Sequence, residues 1–241
     1  YATGLRNVVG LDWNSEVGDL YVAQHGRDML FQFYPELFDQ KAGAENPAEE
    51  LFRVKKGSDC GWPYCYYDND KKRKLLNPEY GGNREKEGDC ANKEKSVMQF
   101  PGHMAPNGVL FYKGSQFPAR YKNGAFIAFH GSWNRTPEPQ AGYFVVFVPM
   151  KNGMPSGKWE VFADGFAGAG CSCGAACTYG SSVPGLALIT GSSAGVAVGA
   201  PNPSLLFISS RSLCFIWALS VFLEPSDTTS EFSRVLIFDA T

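Results

Sequence analysis

A glycine, a run of alternating apolar and polar residues, a turn and a second apolar run recur along this chain. The first copy reads Gly10-Leu11-Asp12-Trp13, a turn from Asn14 to Asp19, then Leu20-Tyr21-Val22-Ala23. The second reads Gly108-Val109-Leu110-Phe111-Tyr112, a connection holding Gly114 and Pro118, then Ala125-Phe126-Ile127-Ala128-Phe129. A blurred third copy reads Gly195-Val196-Ala197-Val198, a turn through Pro201-Asn202-Pro203, then Leu205-Leu206-Phe207-Ile208. Further strands are predicted from Glu50 to Val54, Gly142 to Val148 and Trp159 to Ala163. Period-two pairs with similar turn chemistry suit the blades of a propeller, because each blade buries its faces only against its neighbours. The prediction is an all-β chain with about three to four blades of a partial β-propeller, fewer than a closed ring holds.

Two inserts interrupt the pattern. Residues 31–48, with Pro35, Pro47 and a mixture of Glu, Gln and Lys, read as a loop with a short helix at Pro35-Glu36-Leu37-Phe38. Tyr66 to Ser96, rich in Asp, Asn, Lys and Gly, reads as a long surface excursion without a core of its own. From Gly165 onward charges nearly vanish until Glu224. The expected division is therefore residues 1–165 as propeller blades and residues 166–241 as a divergent or degraded final region. Gly165 to Gly191 carries too few large apolar side chains to offset chain entropy and is expected to be irregular.

Composition agrees with strands: 14% aromatic residues, 27 Gly and 15 Pro favour turns and short strands over long amphipathic helices. With 44% hydrophobic residues the chain has material for a sizeable core. A formal charge of −2 offers nucleic acid no attraction, and Lys55-Lys56 and Lys71-Lys72-Arg73-Lys74 read as solvated loop charges. Leu205 to Leu223 approaches the length of a membrane span, but Ser209, Ser210, Arg211 and Ser212 interrupt it. Two strands around a polar turn are expected there, and no membrane partner. The chain opens at Tyr1-Ala2-Thr3-Gly4, without an initiator Met or a leader, and reads as the middle of a longer protein.

Cysteine usage points to an oxidising compartment, hence a secreted or extracellular protein. Cys60, Cys65 and Cys90 lie in a polar, loop-like region, and Cys90 is expected to pair with either Cys65 or Cys60, pinning the excursion to the Gly61-Trp62-Pro63 turn. The total of seven leaves at least one thiol without a partner in the chain. Cys171-Ser172-Cys173 with Cys177 lacks the paired knuckles of a zinc site, and no His follows it.

Candidate chemistry gathers around the first strand pair. Leu5-Arg6-Asn7 precedes it and Gln24-His25-Gly26-Arg27-Asp28 follows it. A tight hairpin returns the chain to its start, so the two segments should meet at one end of a blade. Two readings stand side by side: a site built from a cation, an amide and exposed backbone, or a plain salt bridge between Arg6 and Asp28.

Leu5-Arg6-Asn7, Gly10-Leu11, Leu20-Tyr21-Val22 and His25-Gly26 together resemble the signature of the soluble glucose and sorbosone dehydrogenases that depend on pyrroloquinoline quinone. Glu49-Glu50-Leu51, Cys60-Gly61-Trp62-Pro63, Ala105-Pro106-Asn107-Gly108 and the run from Ala125 to Arg135 follow in the family's order. The string from Asp59 to Asp68 and the run from His130 to Arg135 are most similar to the fungal pyranose dehydrogenase branch. The resemblance covers roughly residues 1–165.

It implies a six-bladed propeller whose mouth holds the planar quinone and a calcium ion, a sugar substrate and an external electron acceptor. Residue by residue, it implies that Arg6 and Asn7 lie beside the quinone and that the backbone carbonyls of Gly26 and Arg27 bind calcium. Relatives often carry Pro where this chain has Arg27, which is a departure. His25, His103 and His130 are not assigned as catalytic base, because the family's base comes from an earlier blade, upstream of Leu5-Arg6-Asn7. Relatives also carry a late Arg where this chain reads Ser192-Ser193-Ala194. The expectation is therefore a dehydrogenase section with weakened cofactor binding, and the competing one a noncatalytic propeller that binds carbohydrate or protein. A propeller hydrolase is disfavoured by the lack of a compact cluster of carboxylates and His at strand ends.

Overall fold

The computed structural model of the protein describes residues 1–167. The first hairpin joins β1 (Asn7–Asn14) to β2 (Asp19–His25). Its turn is closed by Asn14, whose side-chain oxygen accepts from the Glu16 amide at 2.9 Å and whose carbonyl accepts from the Gly18 amide at 2.9 Å. Asn and Gly suit such a turn because one bonds its own backbone and the other tolerates a positive φ. Two short helices follow, α1 (Leu30–Phe33) and α2 (Gln40–Glu45). The helix predicted at Pro35-Glu36-Leu37-Phe38 is instead a single turn between them, in which the amides of Leu37 and Phe38 share the Tyr34 carbonyl. Asp39 then caps α2 by accepting from the Ala42 amide at 2.7 Å.

The chain continues through β3 (Glu49–Val54), β4 (Cys65–Asp68), β5 (Arg73–Leu76) and β6 (Met98–Phe100). Next come β7 (Pro106–Phe111), β8 (Ala125–Phe129) and β9 (Phe144–Val148). A two-residue ladder of β10 (Met150–Lys151) and β11 (Met154–Pro155) leads to β12 (Glu160–Ala163). The paired strands are all antiparallel, with one isolated parallel bridge between Thr3 and Asp59, and the described residues are all-β apart from short helices. Two four-stranded sheets result, ordered β1-β2-β3-β6 and β12-β9-β8-β7. In both, the first strand carries an irregularity just before a glycine: between Val8 and Gly10 in one, and between Pro106 and Gly108 in the other.

The sheets share one core. Tyr21, Ala23, Leu51 and Phe100 of the first pack with Val109, Phe111, Ile127, Phe129, Val146 and Val148 of the second. Their closest approach falls at the two glycines, where a Cβ on Gly10 would lie 2.9 Å from the Gly108 carbonyl carbon. Asp12 fastens the same seam by accepting from the Phe111 amide at 2.7 Å. Each sheet has a second buried face: Val22, Phe52, Val54 and Cys60 on one, and a ring cluster including Tyr121, Phe126, Phe147 and Phe162 on the other.

The 66–96 segment departs from its reading as a bare surface excursion. β4 and β5 form a hairpin whose Tyr66 and Leu75 pack with Leu30 and Phe38 into a separate small core. The Lys71–Lys74 run departs from its reading too. Lys71 and Arg73 pair with Glu85, but Lys74 is buried, donates to the carbonyls of Cys60 and Glu94 at 2.8 Å, and lies 3.9 Å from Glu50. Lys74 and Leu75 are adjacent and both buried, so they point to opposite faces of β5 and the strand is covered on both sides. Of the two open disulfide pairings, Cys65–Cys90 forms, with Cα atoms 5.6 Å apart. Cys60 is a buried thiol, pushed by burial to a pKa of about 12.

The third repeat at residues 195–208, the cysteines from Cys171 to Cys214, the apolar stretch from Leu205 to Leu223, the Ser192-Ser193-Ala194 position and the expected irregularity beyond residue 167 lie outside the described residues. Among the described residues no helix is long and apolar enough to cross a membrane.

Candidate functional site

The register of the first hairpin sets Asn7 opposite His25, so Arg6 faces the segment that leaves β2. The Arg6 amide donates to the Gln24 side chain at 3.0 Å. Its guanidinium donates to the Gly26 carbonyl at 2.6 Å, lies 3.4 Å from an Asp28 oxygen and covers the Trp62 ring at 5.6 Å. The salt bridge expected between Arg6 and Asp28 thus exists, and the same guanidinium also bonds the Gly26 carbonyl. Gly26 has no room for a side chain, because a Cβ there would sit 2.9 Å from the Ala48 carbonyl oxygen.

His25 stands between two amides. Its Nε2 lies 2.8 Å from Asn107 Oδ1, and its Nδ1 lies 3.4 Å from Asn7 Nδ2. The first partner accepts and the second donates, which assigns a neutral imidazole with the proton on Nε2. Burial pushes its pKa down, and nearby Arg6 adds to that against the opposing hydrogen bond to Asn107. Asn107 reaches His25 because it is the extra residue of the β7 irregularity, which re-aims a side chain that regular pleating would place elsewhere.

His103 is the opposite case. Nε2 faces the Gly43 carbonyl at 2.9 Å and Nδ1 faces Asp28 Oδ1 at 3.3 Å. Both of these partners accept, which favours a proton on each nitrogen, while Asn134 Nδ2 also lies 3.3 Å from Nδ1. Burial pulls its pKa down, but Asp28 and the carbonyl outweigh burial and raise it. The hydrogen bond from His103 holds the Asp28 carboxyl below its ordinary range, helped by Asn134, whose Nδ2 donates at 2.8 Å. Beneath these, Glu49 accepts from the Gly26 amide at 2.9 Å and the Ala105 amide at 3.3 Å, and burial raises its pKa to about 7.

Arg6, Asn7 and Gly26 of the predicted set thus lie together. Arg27 follows them in the chain, but its buried side chain pairs with Glu79 and covers the Tyr34 ring at 5.7 Å. His130 is exposed, with its ring 3.4 Å from the Gly131 carbonyl. Sequence reasoning missed Glu49, Asn107 and Asn134 as members of this corner. The signal available was their place inside the quoted motif strings, but only register and packing bring them to Asp28 and His25.

Chemically, a partly exposed guanidinium and an exposed amide at one rim suit a planar, oxygen-rich anion. For a cation, no cluster of three or more His, Cys, Asp or Glu side chains is present among the described residues, so backbone carbonyls are the ligands to consider. The Gly26 carbonyl already accepts from Arg6, leaving one lone pair. A metal ion bound there would face the guanidinium unless an anion lay between them.

A family model described as TrAA12-like matches residues 1–165. An uncharacterised protein of Borreliella burgdorferi is 32% identical over 167 residues, covering 68% of this chain and 38% of that protein. A pyrroloquinoline quinone-dependent pyranose dehydrogenase of Coprinopsis cinerea is 29% identical over 173 residues, covering 65% of this chain and 22% of that enzyme. The chain thus spans well under half the length of either relative. Among solved structures, a Trichoderma reesei carbohydrate-active enzyme of family AA12 superposes with a TM-score of 0.50 at 22% identity, covering 65% of this chain and 40% of that one.

Proposed function

The chain belongs to the TrAA12-like family, and on that premise we propose that it serves a quinoprotein sugar dehydrogenase, secreted or extracellular, its two sheets being blades of a six-bladed β-propeller. The observation that carries this reading is the meeting of Arg6 and Asn7 with Gly26 and Asp28 at one end of the first sheet. The dehydrogenase activity named for the Coprinopsis relative supports it, and the Cys65–Cys90 disulfide supports an oxidising compartment. The residues from 166 onward are proposed as a divergent final region.

The chemistry that pyrroloquinoline quinone would supply when bound is two-electron oxidation of the sugar at its anomeric or adjacent carbon, with an external acceptor as the destination of the electrons. Arg6 would bind and orient the anionic cofactor, with its charge worth more in this partly dry corner than in water. Asn7 would donate from the exposed rim while its amide orients His25. The Gly26 and Arg27 carbonyls would hold calcium, and here the Arg6 contact has a consequence. Cation and guanidinium share one carbonyl comfortably only when an anion separates them, so calcium and quinone should bind as a coupled pair.

Calorimetry on the longest polypeptide that carries these residues tests this. Calcium alone is expected to bind weakly and to tighten in the presence of the quinone. Arg6→Ala should lower quinone affinity and turnover by about tenfold or more while weakening calcium by less. Equal losses would make Arg6 a fold-supporting residue, and binding without turnover would favour the noncatalytic carbohydrate-binding propeller.

A further inference from the structure

Three groups from separate segments hold the Arg6 guanidinium. Gly26 and Asp28 take Nη1 and Nη2, at 2.6 Å and 3.4 Å, and the Trp62 ring centre lies 5.6 Å from the central carbon. The first two contacts fix the tips of the fork but leave its plane free to pivot about them. A ring against one face removes that pivot. Nε makes no hydrogen bond among the described residues and is not enclosed, in a side chain that is 26% exposed. The ring is anchored from both ends of its own turn. Its amide donates to the Gly4 carbonyl at 2.8 Å, two residues before Arg6, and the Cys60 amide donates to the Thr3 carbonyl at 2.9 Å alongside. On the other side the Asn77 side chain donates to the Pro63 carbonyl at 2.8 Å, and the Cys65–Cys90 disulfide ties down the same turn. An indole so anchored does not follow a swinging side chain, so the guanidinium comes to the ring.

We propose that Trp62 is the positioning residue of this corner: its indole covers one face of the Arg6 guanidinium and fixes the direction in which the free Nε–H is offered to an oxygen of the quinone. The proposal rests on the reading that Arg6 binds the quinone, and it names the residue that readies Arg6 for it. An arginine side chain left loose would lose its rotamer freedom on binding, and a guanidinium already stacked has lost it beforehand. The stacking also requires a planar cation over an aromatic face, so it belongs to Arg and Trp together and is lost with a lysine or with an aliphatic side chain of similar bulk. Attraction of this kind is worth about two- to thirtyfold in an equilibrium, more as the pair is withdrawn from water. Arg6 and Trp62 are both only partly exposed, which places them inside that range.

Two measurements test it, one of them without quinone. In NMR of the full 241-residue chain, the Arg6 Nε–H resonance, assigned by its loss in Arg6→Lys, is expected upfield of the other arginines because the indole ring current acts on it. Trp62→Leu should return it to the ordinary position, and Trp62→Phe should keep part of the shift. In calorimetry on the longest polypeptide that carries these residues, Trp62→Leu should weaken quinone by about five- to tenfold and Trp62→Phe by about twofold. Thermal unfolding in one cooperative transition reports that each variant keeps its fold, and Trp62→Met replaces Trp62→Leu if the latter does not. An Arg6 signal that ignores Trp62→Leu overturns the proposal, as do equal losses of quinone affinity in the Leu and Phe variants, which would make the ring a space filler. A ring-dependent Arg6 signal in a protein that never binds quinone removes the quinone reading and leaves the hold of Trp62 on Arg6 standing. Quinone binding untouched by Trp62→Leu does the reverse.

Discussion

Glu49 shows how one side chain ties local chemistry to the stability of the corner. It is a carboxylate fully enclosed by protein, accepting two backbone amides that do not compensate for lost water, and its pKa rises to about 7. A folded-state value above the unfolded one means that the stabilisation is complete below about pH 4.5 and is lost as the pH rises through about 7. Over that window the group should remove about 3 kcal/mol from the folding free energy, on linkage from a shift of that size. Glu49→Gln should match the unaltered protein near pH 4.5 and exceed it in stability near pH 8.5, as read from urea unfolding at the two pH values. A flat difference between them would mean that Glu49 stays solvated. No feature of the Glu49-Glu50-Leu51 string distinguishes this carboxylate from its neighbour; the difference is entirely one of surroundings.

At the scale of elements, the β4–β5 hairpin is held by two devices. Lys74 reaches through β5 to the carbonyls of Cys60 and Glu94, over the Phe52 ring at 4.7 Å, and neutralises Glu50, which Gln24 and Ser96 also bond. Gln24 in turn receives the Arg6 amide, so the buried charge pair connects to the candidate site. Lys74→Met should destabilise by about 3 kcal/mol, because Glu50 is left buried without its counter-charge. Adding Glu50→Gln should recover part of that loss in chemical denaturation, and additivity of the two would deny the pairing. The second device is the Cys65–Cys90 disulfide, which closes a separation of 25 residues. Replacing both cysteines with Ala should lower stability by about 3–4 kcal/mol on the chain-entropy account, seen as a fall in thermal midpoint that reductant reproduces in the parent.

At the scale of the described residues together, the seam between the two sheets is the contact that joins them. Gly10 meets Gly108 backbone to backbone, and Asp12 bonds the Phe111 amide alongside. A side chain at Gly10 would meet carbonyl carbon at 2.9 Å, and backbone cannot give way as a flexible side chain can. Gly10→Val should therefore separate the sheets, with a loss of about 3 kcal/mol or more or failure to accumulate soluble protein. Gly18→Ala, at a turn with no atom within 4 Å of the added carbon, should cost only about 1 kcal/mol for its positive φ of 69°. Similar unfolding curves for the two variants would show that the seam is not under compression.

Short runs of alternating or wholly apolar residues bounded by turn residues were enough to locate β1, β2, β3, β7, β8, β9 and β12, because such runs are written into consecutive residues. The meeting of Arg6 with Gly26 was legible for a related reason: a short hairpin brings its own ends together whatever else the chain does. The tertiary structure alone decided the rest. It selected Cys65 over Cys60, gave β4 and β5 a core with Leu30 and Phe38, and turned Lys74 from a solvated charge into a buried one. It also set Asn134 against Asp28, 106 residues earlier in the chain. Such contacts depend on how one sheet and its loops lie against another, a relation between distant segments that no local periodicity carries.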